Sequence, residues 1–358
     1  MPEYRSQQSN YRLRSGAGRI ASALGLFTLC FWATAALINS EITQKHWQPD
    51  LGQYSSRLAA VAQHKDELTD VFVGSSHINN GIYPIAFNRV MNAGGISTSA
   101  FNLSNFGPTI PLQLHTLRQL QQLQPARLRH VYLEPILTVI PVSPFNPDAY
   151  ENLFSTRNRY FYDSANSRRM TALRWQSDRP LMERALGVFL IQAAYLIHAS
   201  NLGVMGDLWL YRTPPEDTSY ELWSLRGYGF PQNPQVTNKP LDRLNLEDGY
   251  REIMPLEQDI LAELIALIEA TGARPVLLFP PARKAIGKQR AVRDEILQLF
   301  PHVAVMDYTA DTNPISLYSD QSLWADVDHL ARSGAVKFSE QVAQDRMKLQ
   351  PTPAVPEQ

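Results

Sequence analysis

Two short fragments, far apart in the chain, carry the residue types that proton-relay chemistry needs. Val71-Phe72-Val73-Gly74-Ser75-Ser76-His77 is an apolar run ending in a small Gly-Ser-Ser turn, and Asp326-Val327-Asp328-His329-Leu330 places a carboxylate three residues ahead of an imidazole. A serine hydroxyl becomes a nucleophile when a base takes its proton, and the base works when a third group fixes its tautomer. Ser76 at a strand-to-helix turn would expose its hydroxyl, with helix amides aimed at an anion forming there. Ser75 reads as a turn residue or N-cap. Asp326 is placed to reach one nitrogen of His329 while the other faces Ser76. Asp328 adjoins His329 and reads better as a cap for the helix that begins near Ala331.

Three further positions flank this set. Gly107, in Phe101-Asn102-Leu103-Ser104-Asn105-Phe106-Gly107-Pro108, follows a strand and opens a helix. Its amide could approach a reacting oxygen because no Cβ blocks access. His77 adjoins the candidate nucleophile and, with Asn105 and Glu134, is a candidate substrate contact. The remaining histidines are scattered without metal-ligand spacing, so neither a metal nor another cofactor is expected.

The elements that would hold these residues alternate. Asp70 to Val73 reads as a buried strand, Leu112 to Leu123 as an amphipathic helix, and Leu128 to Leu133 as the next strand. Leu256 to Ala270 reads as a helix, Pro275 to Phe279 and Val303 to Met306 as strands, and Ser333 to Val342 as the closing helix. That rhythm predicts an α/β fold, a three-layer sandwich around a central parallel sheet. Ile140 to Asp248 breaks it, being rich in Tyr, Trp, Arg and Pro. It reads as a mainly helical insertion over the strand ends.

Ile20 to Ile38 is uncharged and mostly apolar, long enough to cross a bilayer as a helix. Arg5, Arg12, Arg14 and Arg19 precede it, which predicts a cytoplasmic N-terminus and an exported remainder. The expected organisation is a tail over 1–19, a transmembrane anchor over 20–38, a stem over 39–68, the α/β domain over 69–345 and a flexible tail over 346–358. Cys30, the only cysteine, lies in the anchor, so the exported part forms no disulfide. A formal charge of −1 with 19% charged residues gives nucleic-acid binding no support.

In block order, Gly74-Ser75-Ser76-His77, Gly107 and Asp326-x-x-His329 resemble the SGNH (GDSL-type) hydrolase superfamily. The resemblance implies Ser76 as nucleophile, His329 as general base, Asp326 as its orienter, and the amides of Ser76 and Gly107 as oxyanion donors. One departure stands out: the family's asparagine after the third strand is absent, and Val131-Tyr132-Leu133-Glu134-Pro135 puts a carboxylate there. A carboxylate does not donate to an oxyanion. The anchor, the Gly-Ser-Ser turn and the missing asparagine are more narrowly similar to the DltD-like and alginate-acetylation-type proteins of bacterial envelopes. That similarity implies a single-pass inner-membrane protein with a periplasmic domain. It would move an acyl group, most simply acetyl, onto or off a polysaccharide or other envelope polymer, beside a membrane-bound O-acyltransferase of the MBOAT type. The alternative is a non-catalytic accessory partner of such an acyltransferase.

Overall fold

A computed structural model of the protein describes residues 53–104, 110–135, 180–199, 255–282, 286–309, 317–326 and 329–349. It adds isolated positions between 18 and 33, between 168 and 176 and between 224 and 228. Contacts divide the chain into two units, one formed by 1–50 with 142–215 and the other by 51–141 with 216–358.

The larger unit is built on five parallel strands. They are β1 (Asp70–Val73), β2 (Ala100–Asn102), β3 (His130–Leu133), β4 (Arg274–Phe279) and β5 (Ala304–Asp307), in the order β2-β1-β3-β4-β5. The strands are short and largely apolar because both faces are covered, as parallel crossovers require. The crossovers are α1 (Gln53–Gln63) leading into β1, α2 (Ser76–Gly81) and α3 (Pro84–Ala93) before β2, and α4 (Ile110–Leu123) before β3. After the smaller unit's helix α5 (Leu181–Ala199) come α6 (Pro255–Glu269), α7 (Ile286–Leu299) before β5, and the closing α8 (Arg332–Lys348).

Side chains alternate across a strand, and the core follows that alternation. Phe72, Tyr132, Val276, Leu278 and Met306 join one cluster with Phe87 and Met91 of α3 and Phe338 and Val342 of α8. Phe72 stacks on Tyr132 with centroids 4.4 Å apart and meets Phe87 edge-on at 5.3 Å. The intervening Val71, Val131, Leu133 and Leu277 are buried too. Helix α8 packs on α2 and α3, while α4 packs on α6. The arrangement is α/β and compatible with three layers.

Several boundaries differ from the sequence expectation. The stretch read as the end of a stem folds into the larger unit, with Arg57, Ala60 and Val61 of α1 buried. Helix α8 runs to Lys348 rather than ending near Val342, because Tyr308 Oη donates to Asp345 at 3.1 Å and Arg346 reaches His130 Nε2 at 2.5 Å. Helices α3 and α7 have no counterpart in the sequence expectation. Most of the 140–248 insertion lies outside the described residues. So does much of Ile20 to Ile38, whose described positions carry exposed Leu26, Phe27 and Leu29. Among the described residues, no helix is long and apolar enough to cross a membrane.

In the smaller unit, Arg184 stacks on the Trp175 ring at 5.4 Å and donates to the Trp175 carbonyl at 2.9 Å.

Candidate active site

From β1 the chain continues to edge strand β2 on one side, then returns to β3 on the other. Between β1 and β3 the order reverses, and the crevice outside the carboxyl ends of the strands at such a point is the usual ligand position. Parallel register sets Val73 beside Leu133, so the turn after β1 and the residue after β3 are neighbours. These positions are Gly74-Ser75-Ser76 and Glu134.

Ser75 is the N-cap of α2, in extended conformation, and its Oγ accepts from the His77 amide at 3.0 Å. Helix α2 therefore begins at Ser76, and the Ser76 side chain leaves its first turn. A Cβ at Gly74 would meet Glu134 Oε2 and Ile78 Cγ1, both at 2.6 Å. Glycine at 74 is what lets the side chain of Glu134, the residue after β3, close on the turn. The Glu134 carboxylate accepts from the Ser75 amide at 2.5 Å and from Ser75 Oγ at 3.0 Å. Of the amides in this turn, those of Ser75 and His77 are engaged by side chains.

The opposite bank is a tight loop closed by an antiparallel bridge between Trp324 and Leu330. The Ala325 amide donates to the His329 carbonyl at 2.8 Å, and the Ala331 amide donates to the Leu323 carbonyl at 2.8 Å. Buried Trp324 anchors the loop through Nε1, which donates to the Leu317 carbonyl at 2.8 Å. Gly334 of α8 lies against the same loop, where a Cβ would stand 2.2 Å from the Leu323 carbonyl oxygen. Within the loop, Asp326 uses both oxygens: Oδ1 accepts from the His329 amide and Oδ2 from Nδ1, each at 2.8 Å. The three-residue spacing has this local cause. One carboxylate spans the backbone and the ring of the same histidine.

His329 Nε2 lies 2.8 Å from Ser76 Oγ. Since Asp326 fixes Nδ1 as the protonated nitrogen, Nε2 is the acceptor for the serine proton. The structure thus brings together Ser76, His329 and Asp326, from residues 253 apart in sequence. His329 is half-buried, and the Asp326 side chain is 45% exposed. The relay therefore sits at an accessible rim. Chemically, the set can transfer a proton from an alcohol to an imidazole and return it to a leaving group.

The other sequence candidates fall differently. His77 turns back into the turn, with Nδ1 3.0 Å from Ser75 Oγ and its ring 5.5 Å from that of His329, nearly parallel. Glu134 clasps Ser75 and is 8% exposed. Gly107 and Asn105 lie outside the described residues, as does Asp328. Ala331 occupies the N-cap of α8 with no side-chain cap. Among the described residues, no group of histidine, cysteine and acidic side chains has a metal-binding arrangement.

Three supporting residues gave no signal in the sequence. Gln113 of α4 donates to the Glu134 carbonyl at 2.7 Å. Asn102, fully buried, donates through Nδ2 to the Ile78 and Ile82 carbonyls at 2.9 Å each and accepts from the Ser104 amide at 3.1 Å. It thereby ties the C-terminal end of α2 to β2. Arg57 is also fully buried and donates to the Ser104 carbonyl. Burial pulls its guanidinium down to about 10. All three act through hydrogen bonds between elements distant in sequence, which composition and periodicity do not reveal.

No protein-family model matches the chain, and neither does any curated protein.

Proposed function

We propose that this chain is an SGNH-type serine acyltransferase or esterase, anchored in the bacterial inner membrane with its α/β unit in the periplasm. It moves an acyl group, most simply acetyl, onto or off an envelope or secreted polysaccharide. The observation that carries the reading is the Ser76–His329–Asp326 relay, with both outer links at 2.8 Å. Ser76 Oγ attacks the acyl carbonyl as His329 Nε2 takes its proton. The tetrahedral oxyanion is met by the Ser76 amide, and the family resemblance adds that of Gly107. Collapse expels the donor's oxygen, which leaves with the proton from His329 and gives an acyl-enzyme. A sugar hydroxyl or water, deprotonated by the same imidazole, then takes the acyl group, and His329 returns the proton to the departing Ser76 Oγ. The exposed Leu26, Phe27 and Leu29 suit the anchor reading, since a lipid-facing helix has no protein core to bury them. An MBOAT-type membrane acyltransferase is the partner such a protein would receive acyl groups from.

The test is labelling of the full-length protein by a fluorophosphonate probe. Parent protein is expected to label at Ser76, and Ser76→Ala to remain unlabelled while folding normally. Undiminished labelling of Ser76→Ala would overturn the mechanism.

One observation favours a non-catalytic accessory role instead. Glu134 stands where the family carries an amide donor, and removing one oxyanion donor costs on the order of 10² to 10³ in rate. A protein that never labels, yet co-purifies with a membrane acyltransferase, would establish that role.

A further inference from the structure

Besides standing where the family carries an oxyanion donor, Glu134 holds the nucleophile turn through its contacts to Ser75. We infer that Glu134, Ser75 and His77 form a second hydrogen-bonded relay, in which Glu134 is the positioning residue of the nucleophile turn and fixes His77 as its Nδ1–H tautomer.

A carboxylate accepts only, and a serine hydroxyl has one proton to give. Glu134 Oε2 takes the Ser75 amide at 2.5 Å, and Oε1 lies 3.0 Å from Ser75 Oγ. The one hydroxyl proton of Ser75 therefore goes to Glu134. Ser75 Oγ then has lone pairs only, and it faces two nitrogens: the His77 amide at 3.0 Å and His77 Nδ1 at 3.0 Å. Both must donate, so Nδ1 carries a proton. Nδ1 is also 3.5 Å from Glu134 Oε1, which favours the same assignment.

The result parallels the first relay. Each imidazole has a carboxylate on its Nδ1 side: Asp326 for His329 and Glu134 for His77. The two rings lie 24° from parallel at 5.5 Å. Two features show the clasp is built into the sheet and not a surface contact. Gly74 makes room that a Cβ would fill, and Gln113 holds the Glu134 backbone from α4. Acting on Ser75, Glu134 sets the direction in which the next residue, Ser76, leaves the turn.

Glu134→Gln decides the matter because it keeps the shape and changes the donor pattern. The Ser75 amide requires the carboxamide oxygen. The –NH2 then faces Ser75 Oγ, which must turn its own proton onto His77 Nδ1. His77 therefore flips to the Nε2–H tautomer, a change that a merely structural role would not produce. The measurement is a long-range proton–nitrogen spectrum of the full-length protein carrying 15N-histidine, recorded at alkaline pH, with His77 assigned by its loss in His77→Gln. The expected result is a protonated Nδ1 in the parent and a protonated Nε2 in Glu134→Gln. An Nε2–H tautomer in the parent overturns the relay. Its catalytic consequence rests on the acyl-transfer reading, and fluorophosphonate labelling reports it separately: Glu134→Gln should label about 10 to 100 times more slowly than parent. Equal or faster labelling, as expected if Glu134 only obstructs an amide donor, overturns the positioning role. A parent that never labels overturns the acyl-transfer reading, while the tautomer still decides the relay.

Discussion

Asp326→Asn is the sharpest perturbation of the relay, because the two side chains have nearly the same shape. In the parent, both carboxylate oxygens accept from His329, through the backbone amide and Nδ1, at 2.8 Å each. The carboxamide keeps one acceptor, so its oxygen can still hold the backbone amide and the loop survives. Its –NH2 then faces Nδ1, which must become the acceptor. The ring proton moves to Nε2, facing a Ser76 hydroxyl that now has no base. Loss of the correct tautomer in a serine–histidine–carboxylate set costs about 10⁴ in rate. That corresponds to about 5.4 kcal/mol of transition-state stabilisation. The assay is the second-order rate of fluorophosphonate labelling, with thermal unfolding as the control. Labelling within tenfold of the parent, in a protein unfolding at the parental temperature, would refute the assignment of Asp326 as the orienter.

Gly334→Ala should be damaging at a distance, since its Cβ would sit 2.2 Å from the Leu323 carbonyl oxygen and displace the loop carrying His329. About 1–3 kcal/mol of stability, with a fall in labelling rate, is expected from denaturant titration and the same probe. Asn102→Leu should cost on the order of 3 kcal/mol, because it takes the Asn102 partner from the carbonyl of Ile82 and the amide of Ser104 in the core. An unchanged denaturation midpoint would contradict this. For Asp345, burial alone would raise the carboxyl, but hydrogen bonds from Gln341, Lys348 and Tyr308 hold it below its ordinary value. A depressed folded-state value means stability that is present above the unfolded value and lost as pH falls through the folded one. Asp345→Asn should therefore be less stable than parent at pH 7, with the gap closing below about pH 4.

What the sequence made legible was local. Asp70–Val73 and Pro275–Phe279 stand out because buried parallel strands need uninterrupted apolar residues. Asp326 and His329 stand out because their contact spans three residues. The pairing of Ser76 with His329 was legible only through chemistry, since a hydroxyl, an imidazole and a carboxylate imply one another. The clasp of Glu134 on Ser75 was not legible. It depends on the β1–β3 register that sets Val73 beside Leu133, and a register is a property of two strands and not of either. The same holds for Arg57, which meets Ser104 across 47 residues. Helix α3 does carry a signal of its own, since Pro84 suits a first helical turn and the ten residues present an apolar face. Its burial of Phe87 and Met91 comes from packing on α8.

The 253-residue separation between the hydroxyl and its base also fixes when the site can come into being. A chain that folds as it emerges, first residue first, shapes the turn around position 76 early and receives the imidazole almost last, with the closing helix. A product that stops before residue 329 lacks the imidazole, so on the proposed mechanism reactivity would arrive only once that segment has joined the fold. Removal of the segment carrying His329 would, on that mechanism, extinguish it without touching the alcohol.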